Sequence, residues 1–172
     1  MSVIAVKITD SEINITADTR FTEGDERYGN TSKLYQHIDI VIGTVGMEED
    51  HFLLIEYIKE NYETFNKFKL LDFMCDFYSY SNKLRENLNL EDSEYKSSFI
   101  LIVGNSVYNI SHLLIQEVKD FVAIGSGILP ALAALHLGHS AEEAVDVACK
   151  LINTCGMPSE SITIKKSKLE KL

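Results

Sequence analysis

Two amphipathic helical segments stand back to back in the middle of this chain, with strand-forming segments on either side. From 48 to 65, apolar groups fall at Leu54, Ile55, Ile58, Tyr62 and Phe65; from 70 to 87, one face carries Leu71, Met74, Phe77, Tyr78, Ser81 and Leu84. This is the three- and four-residue spacing of helices that bury one side. Before the pair, the β-rich runs 3–8 and 13–17 flank the polar turn Thr9-Asp10-Ser11-Glu12 and read as a hairpin. A polar loop over 22–32 leads to strands at 34–36 and 38–45, punctuated by Gly43 and Gly46. After the pair comes a charged break over 89–96. A second hairpin at 98–103 and 107–110 then turns at Gly104-Asn105, and a short strand at 121–124 runs into Gly125-Ser126-Gly127. A third helix spans 129–137 and is capped by Gly138; a fourth opens with Ser140-Ala141-Glu142-Glu143, a capping box. The strand 161–165 closes the order.

Strands, a helix pair, strands, a second helix pair and a last strand predict two packed sheets with two helices on each outer face. The expected fold is therefore a four-layer αββα sandwich of the mixed α/β (α+β) class, a single domain over 1–172. Such grouping differs from the strand–helix alternation of doubly wound nucleotide folds, and neither GxGxxG nor GxxxxGK[ST] occurs. ATP chemistry within this chain is not expected.

With 172 residues, 45% of them hydrophobic, the chain is long enough for a sizeable core. Lys and Arg number 16 against 26 Asp and Glu, a formal charge of -10 that opposes binding to a phosphate backbone. No apolar run reaches the roughly 18 residues of a membrane span. Met1-Ser2-Val3-Ile4 lacks the basic and apolar regions of a signal peptide, so a cytoplasmic location is expected. Cys75, Cys149 and Cys155 read as buried free thiols. His136 and His139 have no partner at ligand spacing, and Glu48-Glu49-Asp50 suits the first turn of a helix, so neither metal nor other cofactor is expected.

Ser2 is a candidate nucleophile, although a lone Ser after Met is by itself an ordinary start. Methionine removal is favoured before a small residue, and it would leave a hydroxyl and a free α-amine on one residue. The amine's ordinary pKa lies near 7.7, so it can accept the hydroxyl proton at neutral pH.

Five landmarks in order make the chain resemble the proteasome β-subunit and HslV (heat-shock-locus V) peptidase family over about 2–165. They are the hairpin ending Ala17-Asp18-Thr19-Arg20, the strand Lys33-Leu34-Tyr35-Gln36, Ile42-Gly43-Thr44-Val45-Gly46 before a helix, Ala123-Ile124-Gly125-Ser126-Gly127, and the Ser140 helix start. The resemblance implies an N-terminal nucleophile endopeptidase with Ser2 where the family usually has Thr. Asp18 and Lys33 then tune the amine, Gly43 supplies the oxyanion N–H, and Ser126 bonds near the amine. Thr22, Thr31, Tyr35, Val41 and Val45 fall on or near the substrate pocket, implying an uncharged, moderately apolar preference. It further implies a homo-oligomeric ring or double ring, a separate ATPase unfoldase, and unfolded protein or peptide substrates. Two departures stand out: Ser for Thr, and Ile152 and Cys155 where the family has an Asp and a Ser, with Asn153 and Ser159 as nearby polar replacements.

Each position also has a plainer reading. Asp18 can cap a turn, Lys33 can end a solvated strand, Gly43 can close a strand, and Ser126 can cap a helix. Two other functions therefore stay open at this stage: a proteolytically inactive ring-forming structural protein, and an amidase acting on small amides.

Overall fold

The computed structural model of the protein describes residues 2–23, 26–65, 69–88 and 97–166, with the backbone alone over 22–23 and 26–28. β1 (Val3–Ile8) and β2 (Glu12–Asp18) form the expected hairpin, flanked by β10 (Phe121–Gly125) and β11 (Ser159–Lys165) in the antiparallel order β10-β1-β2-β11. The second sheet runs β5-β6-β7-β8-β9, from β5 (Leu34–His37) and β6 (Ile40–Val45) to β7 (Ser98–Val103), β8 (Ser106–Ser111) and β9 (Leu114–Val118). α1 (Glu48–Asn61) and α2 (Leu70–Asn87) cover this sheet, while α3 (Ile128–His136) and α4 (Ala141–Leu151) cover the first.

The layering follows from the two-residue period of the strands. In β1, Ile4 and Val6 point between the sheets toward Ile13, Ile15, Ile100 and Ile102, whereas Val3 and Ala5 point at the α3/α4 layer. That outer layer is lined by Ala131, Ala134, Ala144 and Ala148, whose small side chains bring the helices close to the sheet. In β6 the split recurs: Val41 faces the other sheet, and Ile40 and Ile42 face Leu54, Met74 and Phe77 of the α1/α2 layer. Ile15 is fully buried between the sheets, so its truncation to Ala would cost about 2–5 kcal/mol. The Ser140 capping box forms as expected: Glu143 N donates to Ser140 Oγ at 3.1 Å and Ser140 N to Glu143 Oε2 at 2.8 Å.

Several expectations need correction. The 22–32 loop contains strand: β3 (Arg20–Glu23) pairs with β4 (Glu26–Asn30) in a ribbon with an irregularity at Phe21/Thr22. Ile38 is not in a strand but in the tight β5–β6 turn, at φ +53°. The first helix stops at Asn61 and continues as a 3₁₀ turn (Tyr62–Thr64). Leu71 is solvent-facing, and Leu70 takes its place on the buried stripe. β9 lacks a sequence signal because it is an edge strand of no regular alternation, with Leu114, Gln116 and Glu117 all exposed. Cys75 is exposed, Cys149 half-buried and Cys155 buried, all as free thiols. The 89–96 break lies outside the described residues. No described helix is long and apolar enough to cross a membrane.

Candidate active site

Ser2 is 5% exposed and sits just before β1, held by the turn between β10 and α3. Its carbonyl accepts from Ser126 Oγ at 3.2 Å and from Gly127 N at 3.3 Å. Gly125 makes this approach possible: at φ +97°, a Cβ there would lie 2.2 Å from Ser2 O. Ser126 was expected beside the amine; its hydroxyl bonds the Ser2 carbonyl and stands 2.9 Å from Thr154 Oγ1 and 3.7 Å from Cys155 Sγ. Thr154 thus occupies the place for which Asn153 and Ser159 were considered. The Asn153 carbonyl instead accepts from Arg20, and Ser159 pairs opposite Asp18 across β11 and β2.

Asp18 closes the other side of Ser2. Its Oδ1 accepts from Val3 N and from Lys33 Nζ, each at 2.8 Å, and its Oδ2 accepts from Gly156 N at 3.0 Å. Lys33 also donates to the Asp18 and Arg20 carbonyls at 2.8 Å. All three ammonium protons are therefore committed, so Lys33 acts on its surroundings as a fixed positive charge. Glu160 was not singled out from sequence, where it is one more carboxylate in a polar strand. It accepts from Lys33 N at 2.6 Å, Leu34 N at 3.0 Å and Ser32 Oγ at 2.8 Å, tying the 32–34 segment to β11.

Gly43 does not reach this site. Thr44 N donates to Lys33 O at 3.0 Å, so the alternation of an antiparallel ladder turns the Gly43 N–H to β7, where it faces Ile100. Its Cα is packed between the sheets, and a Cβ would lie 2.9–3.1 Å from Leu34, Ile15 and Ile4. Gly46 is the glycine beside Ser2. It lines both a cavity of about 50 Å³ and an open groove of about 410 Å³ that flank Ser2. It lies past the end of β6 at φ +134°, and no described hydrogen bond uses its N–H.

The pocket residues divide. Thr31 lines the small cavity and donates to Glu48 Oε1 at 3.1 Å, and Val45 lines the groove. Tyr35 does not face Ser2, because the register of β5 sends Leu34 inward and Tyr35 to the α1/α2 layer beside Lys59. Val41 is sealed between the sheets. The Thr22 side chain lies outside the described residues. Lys33, Thr44, Glu48 and His51 make the small cavity more polar than expected. Burial lowers the His51 pKa, against the raising influence of Glu160 and Glu48. Burial likewise raises the Cys155 thiol, and the Cys149 thiol to about 12, so neither is an activated nucleophile.

No protein-family model matches the chain, and no curated protein matches it with significance. Solved structures do match. BPH from Thiobacillus denitrificans in complex with epoxomicin superposes at TM-score 0.79 and 20% identity, covering 96% of this chain and 100% of that one. A second structure of BPH from Thiobacillus denitrificans superposes at 0.77 and 19% identity, over 96% and 98% of the two chains. HslV from Trypanosoma brucei gives 0.76 and 19% identity over 95% and 99%. The chain has the four-layer sandwich fold of these BPH and HslV structures.

Proposed function

We propose that this protein is a peptidase subunit whose nucleophile is the Ser2 hydroxyl, activated by the Ser2 α-amine once Met1 is removed. The observation that carries the reading is the way Ser2 is held. Its carbonyl is bound by Ser126 and Gly127, and the following N–H by Asp18, while Ser2 lines a cavity shared with the buried Lys33.

In this mechanism Ser2 Oγ attacks the scissile carbonyl and its proton passes through a water to the α-amine. The Lys33 charge favours the developing alkoxide and keeps the amine neutral, and Asp18 fixes that charge in place. The Gly46 N–H, in the role expected of Gly43, receives the oxyanion. Collapse expels the amine of the product, which takes the proton back from the Ser2 ammonium, and water then hydrolyses the ester. The fold shared with HslV suits proteolysis confined within a homo-oligomeric ring, with substrate unfolding left to a separate ATPase. Ser2→Ala is expected to abolish hydrolysis of short fluorogenic peptides while leaving assembly intact. Retained turnover in that variant would refute the assignment, and an assembled wild-type protein without turnover would favour the inactive ring-forming role.

A further inference from the structure

We propose that Ser97 is a positioning residue for the oxyanion donor, oriented by Asp50 and Arg85; this rests on the role given above to Ser2 and Gly46. Glycine has no intrinsic preference between positive and negative φ. A catalytic N–H on Gly46 therefore needs an outside clamp to keep its direction.

The clamp is visible in the contacts of Ser97, a buried residue just before β7. A hydroxyl has one proton to give. Ser97 Oγ gives it to Asp50 Oδ2 at 2.7 Å, and its lone pair accepts Met47 N at 2.9 Å. The peptide that follows Gly46 is thereby fixed, and Val45 on the other side is fixed by pairing with Ser98. Gly46 is pressed so closely on Ser97 that a Cβ would lie 2.2 Å from Ser97 Oγ and 2.8 Å from Ser97 Cα. The φ of +134° at Gly46 is held from both neighbours.

Asp50 fixes the hydroxyl in turn. An acidic residue in the first turn of a helix usually sits in water, where it interacts with the dipole, but Asp50 is 0% exposed. It accepts Ser97 N as well, at 3.1 Å, and its other oxygen is bound by Arg85 from α2. A buried carboxylate is tolerated when paired in this way, and its charge makes it a stronger acceptor than a neutral group. The path from Arg85 through Asp50 and Ser97 to the 46–47 peptide thus links the α1/α2 layer to the site.

The test compares wild type, Ser97→Ala and Ser97→Thr for kcat, KM and inhibition by a peptide aldehyde, whose adduct with the nucleophile carries the oxyanion. Loss of the clamp is expected to lower kcat about tenfold to a hundredfold with KM within about twofold. Aldehyde affinity should fall by a similar factor, and Thr, which keeps the hydroxyl, should restore most of both. If Ser97→Ala does not assemble, Arg85→Lys carries the test, with a smaller fall in kcat and unchanged KM. Unchanged kcat in either assembled variant overturns the proposal while the Ser2 assignment stands. An inactive wild type overturns both.

Discussion

Asp18 Oδ1 stands 2.8 Å from Lys33 Nζ in an ion pair that is almost fully buried on both sides. The same carboxylate bonds the N–H groups of Val3 and Gly156, so it ties Ser2's neighbour, the β4–β5 connection and the turn before β11 together. Replacing Lys33 by Met leaves this charge uncompensated. The expected loss is about 3–5 kcal/mol of stability, together with loss of peptide hydrolysis. Urea unfolding and a peptidase assay on the same sample check both.

Gly125 and Gly138 provide a matched pair, since both sit at φ +97°. Alanine at either position pays the left-handed penalty of about 1–2 kcal/mol. Only at position 125 does the new methyl collide with Ser2 O; at Gly138 nothing lies within 4 Å. Gly138→Ala should lose that stability and keep its activity, whereas Gly125→Ala should lose more and be inactive. Thermal unfolding and peptide hydrolysis distinguish the two.

Thr154 precedes Cys155, which stands where the family has a Ser, and its hydroxyl lies 2.9 Å from Ser126 Oγ. Thr154→Val keeps the shape and removes the hydrogen bond. It should lower kcat about tenfold with little change in assembly, and a rate indistinguishable from wild type would show that Ser126 needs no such partner.

His51 gives a pH signature. Burial lowers its pKa from 6.5, so the unfolded chain binds more protons than the folded one in the window just below 6.5. Stability therefore falls as pH drops through that window and is fully retained above it. His51→Gln should flatten the dependence of melting temperature on pH just below 6.5.

Much of the layering was legible because alternation in β1 and β6 and the spacing of Leu54, Ile58, Met74 and Phe77 are set locally by burial. The positions of Ser2, Asp18, Lys33 and Ser126 around one point followed from resemblance, since nothing local in the sequence brings residues so far apart together. What stayed hidden depended on register and on long-range partners. Gly43 and Gly46 both close a strand in sequence, and only the ladder direction set by Thr44 shows which N–H is free of the sheet. Glu160, Asp50 and Ser97 look like ordinary surface polar residues until the fold brings Glu160 onto the 32–34 segment and buries Asp50 and Ser97 against each other. Tyr35 and Val41 face away from Ser2 because successive side chains of a strand alternate between the two faces of its sheet.

The most direct test of Ser2 is the intact mass of the purified protein before and after incubation with epoxomicin, a peptide epoxyketone that captures a hydroxyl and a free α-amine on the same residue. The account predicts a chain lacking Met1 that gains a single adduct, with no adduct on Ser2→Ala. A chain beginning at Ser2 that gains no adduct would contradict it.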